Sequence, residues 1–445
     1  MYYDALETFV EHNESNLEAM RSQIISQKSS LVYKHFMGCR ILVEPGARKQ
    51  LPHLAPDLPP ATWKIIKNFV GQDLTKVSMP VIINEPLSAL QRNAEFLCCA
   101  EAKYREAAQC DDSLRRLVLT WVASITGLNS IKKRKKKPFN PMLGETFEMV
   151  GEHYRFLAEK IQHTPIQISC SLLEGLGYKV WAYDKPNFKF GFGGGRGMIE
   201  IGPKGFFDIY YKKYDEHISI QKGPLYAKNI IFGGVYIDLG GQSIVYNTKT
   251  KEKVVIDWIE KVSDAENSRL KGTAFDAHGK AQYEIYGSYL DEISMVNLAT
   301  GEREVLWTEP PMMPNAHLQF FYNPFAVLLN HRTDEMAGVI APTDSRFRMD
   351  NRLFEQGQLD EADTEKVEIE QQQRRQRKLM EAGQLPQFKG NFFREIPHPH
   401  ITDELDHHEE RPIMYELIED EEKNYWARRQ RKDWGGMPNL WGPFD

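Results

Sequence analysis

Hydrophobic positions divide this chain into regions of different texture. Between residues 86 and 128 they recur every three or four positions: Leu87, Leu90, Ala94, Leu97, Ala100, Tyr104 and Ala108, then Leu114, Leu117, Val118, Trp121, Val122 and Ile125. That period gathers them on one helical face. Asp111 and Asp112 supply caps for the second run, so an antiparallel helical pair is expected. From about 145 to 340 the spacing changes. Short aromatic and β-branched runs alternate with Gly, Pro, Asp and Asn, as in HYRFLAEKI, KVWAYD, GMIEI, GFFDIYY, SIVYNTKTKEKVVIDWIE, AQYEIYGSYL and FAVLLN. Serial strands with turns between them predict an antiparallel meander. So many strands are better closed into a barrel, because closure removes unpaired edges, and a barrel of this size can enclose an apolar ligand.

The flanks differ again. Residues 1–59 read as a flexible extension, polar at first and then interrupted by prolines. In ATWKIIKNFVG, Trp63, Ile66 and Val70 share a helical face with Ile65 and Phe69 beside it, and Gly71 ends the segment. Beyond 350, LDEADTEKVEIEQQQRRQRKLMEAG predicts a charged helix, followed by an irregular tail with His398, His400, His407 and His408.

The 445 residues carry 56 basic and 62 acidic side chains, so no global basic field points to nucleic acid. An anionic partner has to be met by a local patch. Five cysteines, scattered and without a CxxC pair, predict a reducing compartment rather than a disulfide framework. No apolar run reaches the roughly 18–20 residues of a membrane span, and the first residues lack a signal-peptide core. A soluble cytosolic protein is expected. GFGGGRG fails the GxGxxG pattern, no GxSxG occurs, and the tail histidines lack a ligand framework. Neither catalytic nor metal-binding residues are expected, and no cofactor.

The most informative stretch is IKKRKKKPFNPMLGETFE, residues 131–148. Six consecutive basic residues, Lys132 to Lys137, precede two prolines and Gly144. The hexamer alone reads as a solvated run or a nuclear-import signal. In the charged helix Lys366, Glu370 and Arg374 stand at i, i+4 and i+8, close to one stripe. That is either a surface salt-bridge ladder or a carboxylate orienting two cations toward an anion.

KPFNPMLGETFE closely resembles the KPFNPxLGE(T)(F/Y)E signature of the oxysterol-binding-protein-related proteins, which are cytosolic lipid exchangers. TWKIIKNFVGQDLTKVSMPVIINEPLSALQR, LEGLGYKVWAYDKPNFKFGFGGG and PTDSRFRMDNRLFEQGQLDEADTEK resemble further segments of that family in the same order, over roughly residues 60–385. The resemblance implies an α+β, mainly β fold: a large antiparallel incomplete β-barrel enclosing a hydrophobic tunnel. Its parts would be a lid at about 60–80 with Trp63, Ile66 and Phe69, helices at 86–128, a barrel at 137–340 and a C-terminal helical region at 345–445. It implies a phosphoinositide head-group site made of Lys137, Asn140, His163, Thr164, Lys366, Glu370 and Arg374. The family fingerprint EQVSHHPP stands here as EKIQHTPI, residues 159–166, so Thr164 replaces the second histidine and Ile166 the second proline. A hydroxyl supplies a neutral hydrogen bond of about 1 kcal/mol, against about 1.5–3 for a charge-assisted one. The implied function is binding and transfer, without catalysis, of a sterol or another lipid against phosphatidylinositol 4-phosphate. The alternative is a lipid sensor or membrane-contact tether without net transport.

Two further contacts are expected. Lys132, Lys133, Arg134, Lys135 and Lys136 would face anionic membranes, at up to about 1 kcal/mol per residue. MYYDALE resembles the FFAT motif EFFDAxE through Tyr2, Tyr3, Asp4, Ala5 and Glu7, with Met1 in place of the leading glutamate. That likeness implies docking on the endoplasmic-reticulum receptor VAP and a peripheral position at contact sites. With residues 1–59 ahead of the resembling region, no pleckstrin-homology domain is expected there.

Overall fold

The computed structural model describes residues 32–36, 39–43, 47–57, 79–131, 134, 136–164, 167–191, 198–204, 206–229, 236–259, 268–400 and 413–441. A hairpin of β1 (Val32–Phe36) and β2 (Cys39–Val43) comes first. Strand β3 (Asn84–Ser88) then leads into helices α1 (Ala89–Cys98), α2 (Glu101–Gln109) and α3 (Ser113–Thr126), and β4 (Lys137–Phe139) pairs in parallel with β3. The strands β5 (Thr146–Val150), β6 (Tyr154–Gln162), β7 (Ile168–Gly175), β8 (Tyr178–Gly191), β9 (Met198–Lys204), β10 (Phe206–Tyr211), β11 (Glu216–Gln221) and β12 (Leu225–Lys228) follow. Next come β13 (Tyr236–Leu239), β14 (Gln242–Asn247), β15 (Lys253–Trp258), β16 (Arg269–Phe275), β17 (Ala281–Ser288), β18 (Glu292–Asn297) and β19 (Arg303–Thr308). The chain ends with α4 (Ala326–Leu329), α5 (Met349–Glu355), α6 (Leu359–Glu381), β20 (Phe393–Pro397), β21 (Ile413–Leu417) and α7 (Tyr425–Arg431).

Strands β5 to β19 form one 15-stranded antiparallel sheet. It forks at β8, whose first half lies between β7 and β10 and whose second half pairs with β9. Among the described residues no ladder joins β19 back to β5, so the barrel is incomplete. Alternation along β6 shows why its sequence is apolar on both sides. Tyr154, Phe156 and Ala158 face the main core with α1 and α3, while Leu157 and Ile161 face Phe392, Tyr415 and Tyr425 of the C-terminal region.

The helices follow their sequence signals, with one break. Ser88 and Gln91 form a capping box for α1, and the Asp112 carboxylate accepts from the Arg115 backbone N–H at the start of α3. The predicted first helix divides near Cys99 and Ala100 into α1 and α2, although its apolar face runs on through Leu97, Ala100 and Tyr104, all buried.

Three expectations require correction. FAVLLN is not a strand: Ala326–Leu329 is a buried helical turn, and a short apolar run cannot by period alone separate the two. The C-terminal region is not purely helical, because β20 and β21 form a hairpin within it. Nor is the whole of 1–59 a loose extension. Ala47 and Leu51 are buried, the Ala55 N–H donates to the Leu318 carbonyl at 2.9 Å, and Arg48 pairs with Glu355 at 2.6 Å. No helix among the described residues is long and apolar enough to cross a membrane.

Candidate functional site

The segment after β4 is fixed to the end of β6 by backbone. Gly144 N–H donates to the Lys160 carbonyl at 2.8 Å, and Lys160 N–H donates to the Glu145 carbonyl at 2.9 Å. Gly144 has φ +83°, a left-handed conformation that glycine adopts without penalty. Glu145 is fully buried; its carboxylate accepts from Met142 N–H at 2.9 Å, Ser345 Oγ at 2.6 Å and Arg348 Nη1 at 3.1 Å. Arg348 also donates to the Asn140 carbonyl at 2.7 Å and pairs with Asp350, while Arg346 pairs with Asp344 and donates to the Glu148 carbonyl. PTDSRFRMD is therefore an internal frame that holds KPFNPMLGE in place. On the other side, Glu159 accepts backbone N–H groups from Asn391, Phe392 and Phe393 at 2.6–3.2 Å. Burial pushes its carboxyl up to about 7 despite those donors.

Around this frame five of the seven predicted head-group residues, Lys137, His163, Lys366, Glu370 and Arg374, act on one another. On α6, Glu370 bridges Lys366 at 2.7 Å and Arg374 at 3.4 Å, the ladder foreseen from the spacing. Lys366 is buried and Arg374 about half exposed (46%), so only the outer cation faces bulk solvent. Lys137 keeps accessible surface but stands among protein atoms. Desolvation and the Lys366 charge lower its ammonium to about 8, against the pull of Glu370. Its backbone is held by Asn84, whose amide donates to the Lys137 and Pro138 carbonyls. His163 is lowered to about 4 by desolvation, then by Lys160 and Arg377, against Glu370; it is neutral at pH 7, with Nδ1 buried and unbonded. Asn140 and Thr164 are exposed beside these groups in sequence. Lys160 and Arg377, whose charges act on His163, were not legible in the sequence as neighbours of that ring. The available signals were the parity of Lys160 with Phe156 and Ala158, and the spacing of Arg377 one turn beyond Arg374.

The basic run behaves differently from expectation. Arg134 does not face a membrane: its side chain is 2% exposed and forms a two-pronged pair with Glu95 at 2.6 and 2.9 Å, over the Tyr322 ring. Lys136 is turned inward too, donating to the Pro56 carbonyl at 2.8 Å near Phe320 and Phe354, and burial lowers it to about 8. A buried carboxylate and a backbone carbonyl draw these two cations out of a run that reads as uniformly solvated. Lys132, Lys133 and Lys135 lie outside the described residues, as do Trp63, Ile66 and Phe69 of the expected lid and Tyr2, Tyr3, Asp4, Ala5 and Glu7. The end of the expected lid and the chain just after it are described, and α6 grips both: Lys366 Nζ donates to the Met79 carbonyl at 2.9 Å, and Asp363 accepts from Val81 N–H at 2.8 Å.

Between α1, α3 and the inner face of the sheet lies a cavity of about 440 Å³. Phe96, Trp121, Ile125, Phe207, Ile220 and Trp258 line it, with Asn93, Asp184 and Lys222 as polar points. Pro138 is also in its wall, which sets the cavity beside Lys137. Its size and mostly apolar lining suit one small or medium-sized ligand.

An incomplete antiparallel barrel with an internal apolar cavity, beside cations from β4, β6 and α6, defines a ligand-enclosing β-barrel binding protein. The oxysterol-binding protein family model matches residues 61–430, and the chain belongs to that family. It is 32% identical over 361 residues to human oxysterol-binding protein-related protein 6, covering 79% of this chain and 37% of that protein. It is 32% identical over 333 residues to mouse oxysterol-binding protein 2, covering 69% and 35%. The chain thus spans little more than a third of those relatives. Among solved structures it resembles the Osh3 ORD from Saccharomyces cerevisiae in complex with PI(4)P (TM-score 0.73, 25% identity, 93% of this chain and 100% of that one). It also resembles the Osh1 ORD domain in complex with cholesterol (TM-score 0.78, 26% identity, 88% and 94%).

Proposed function

We propose that this chain carries one membrane lipid at a time, exchanging a sterol or another lipid for phosphatidylinositol 4-phosphate without chemical change. The carrying observation is the cation cluster of Lys137, Lys366 and Arg374 around Glu370 next to an apolar cavity of about 440 Å³. A phosphomonoester brings about −1.5 to −2 charges at neutral pH, which these cations can neutralise while His163 remains neutral. The cavity replaces one apolar environment with another, at about 0.8 kcal/mol per methylene kept from water. The relatives solved with PI(4)P and with cholesterol support both ligand classes. One tunnel serving both makes their binding mutually exclusive, the condition for exchange. Lipid movement between two liposome populations, one carrying phosphatidylinositol 4-phosphate and the other cholesterol, tests this. Stoichiometric binding with no movement of either lipid would refute transport.

The Lys366–Met79 hydrogen bond favours a second reading as a sensor, because a cation of the cluster also holds the end of the expected lid. An anion competing for Lys366 then changes the lid equilibrium by its differential affinity for the two states. For membrane choice we infer contributions from Lys132, Lys133 and Lys135, and from an FFAT-like contact of residues 2–7 with VAP at the endoplasmic reticulum. Both belong to a cytoplasmic protein acting peripherally. Flotation with anionic liposomes, and binding of VAP to a Tyr3→Ala variant, test them separately.

A further inference from the structure

The site contains a buried cation that neither the fingerprint nor the helical stripe accounts for. Lys160 is 2% exposed, and its ammonium donates to Gln167 Oε1 at 2.9 Å. Among the described residues no carboxylate comes within ion-pair distance of it. Burying such a charge without a counter-ion is costly, and natural interiors rarely tolerate it without a use. Desolvation lowers this ammonium to about 7, with Glu145 and Asp184 pulling it back up.

Its direction is fixed by register. Lys160 on β6 pairs with Ser169 on β7, and Ser169 pairs with Asp184 on β8. Residues directly opposite one another in a ladder share a face. Asp184 lines the cavity and accepts from Asn93 Nδ2 at 2.6 Å, so this row faces the cavity. The parity of Lys160 with Phe156 and Ala158 agrees. Lys160 is therefore on the cavity side of β6, and its charge acts on His163. One group beside it is short of a partner: His163 Nδ1 is buried without a hydrogen bond, while Arg377, whose charge also acts on that ring, is paired with Glu381 at 3.5 Å. A buried ammonium and an unbonded imidazole nitrogen at the same end of β6 are matched by a group rich in acceptors, such as the oxygens of a phosphomonoester.

We propose that Lys160 binds the ligand's phosphate directly, supplying the positive charge that Thr164 removes from the histidine pair. This rests on the reading of the site as a phosphoinositide head-group site. Position 160 is glutamine in the fingerprint, and a lysine there supplies a cation four residues before the lost imidazole. An approaching phosphate gives Lys160 the counter-ion that the protein does not.

The test uses the full chain with phosphatidylcholine vesicles carrying phosphatidylinositol 4-phosphate, and separately with vesicles carrying cholesterol. Lys160→Gln should weaken phosphoinositide binding about tenfold, the loss of one charge-assisted bond. Cholesterol uptake should be unchanged, and the melting temperature equal to or above that of the parent, because an unpaired buried charge has been removed. Lys160→Met repeats the test with a side chain that needs no hydrogen-bond partner. Inorganic phosphate added as a competitor should displace little lipid; displacement at the lipid's own concentration would assign the site to free phosphate and overturn the lipid assignment. Loss of phosphoinositide binding in Lys137→Ala but not in Lys160→Gln would overturn the role of Lys160 and leave the site reading standing. No phosphoinositide binding by the parent chain would remove both. A lower melting temperature with loss of both lipids in both variants would make Lys160 structural and overturn the proposal.

Discussion

Arg134→Ala separates two meanings of one basic residue. In a membrane-facing run it would be nearly silent for folding and would weaken liposome attachment by one charge. The structure instead places its guanidinium against Glu95, with Glu85 3.8 Å away, and both carboxylates are fully buried. Burial opposes the guanidinium charge, yet Glu95 and Glu85 hold it above its ordinary range. Removing one partner of a buried pair costs about 3–5 kcal/mol, because the other charge is left without compensation. The lower end applies here: Glu95 keeps the Asn323 amide at 2.8 Å and Arg92 Nε at 3.8 Å. At an m-value of about 3 kcal/mol per molar, that is a fall of roughly 1 M in the urea midpoint. Arg134→Met combined with Glu95→Met should recover part of the loss, since both charges are then gone. Salt should change these differences little, because the pair is shielded from the ionic atmosphere. A midpoint within about 0.2 M of the parent, together with weakened flotation on anionic liposomes, would return Arg134 to the surface and refute the reasoning.

Lys137→Ala or Arg374→Glu should abolish phosphatidylinositol 4-phosphate extraction and leave sterol binding intact; equal loss of both lipids in a folded variant would contradict the site. Thr164→His should strengthen phosphoinositide binding, and unchanged affinity would show that position 164 faces elsewhere. His163 has a folded value of about 4 below its ordinary 6.5, so the folded protein holds fewer protons than the unfolded chain between them. Its contribution to stability therefore falls as pH drops from about 6.5 to 4, and His217, lowered to about 3, acts in the same direction. Melting curves across that range, with His163→Gln expected to flatten part of the slope, measure this; histidine NMR should show the His163 value rising when phosphoinositide is added. Neutralising Lys132, Lys133 and Lys135 should weaken flotation on anionic liposomes, with the difference vanishing at high salt.

Local pattern determined much of this protein. The 3.6-residue period identified the surfaces of α1 and α3, alternation and turn residues identified the strands, and the spacing of Lys366, Glu370 and Arg374 alone predicted their ladder, since each follows from geometry within one element. Motif order carried the family and nominated the residues proposed for the phosphate site. Tertiary structure decided what depends on partners far away in the chain. Arg134 and Lys136 belong to one basic run by sequence, yet Glu95 and the Pro56 carbonyl draw them inward. Residues 47–57 look like a linker but pack against Gln319, Val327 and Glu355. FAVLLN is apolar enough for strand or helix, and burial among its neighbours settled it as helix. Lys160 carries no sequence signal stronger than one charge in an apolar strand. Its burial, its lack of a counter-ion and its row with Ser169 and Asp184 exist only once β6, β7 and β8 are in register. A charge's meaning depends on which groups share its low-dielectric surroundings, and only the assembled fold decides that.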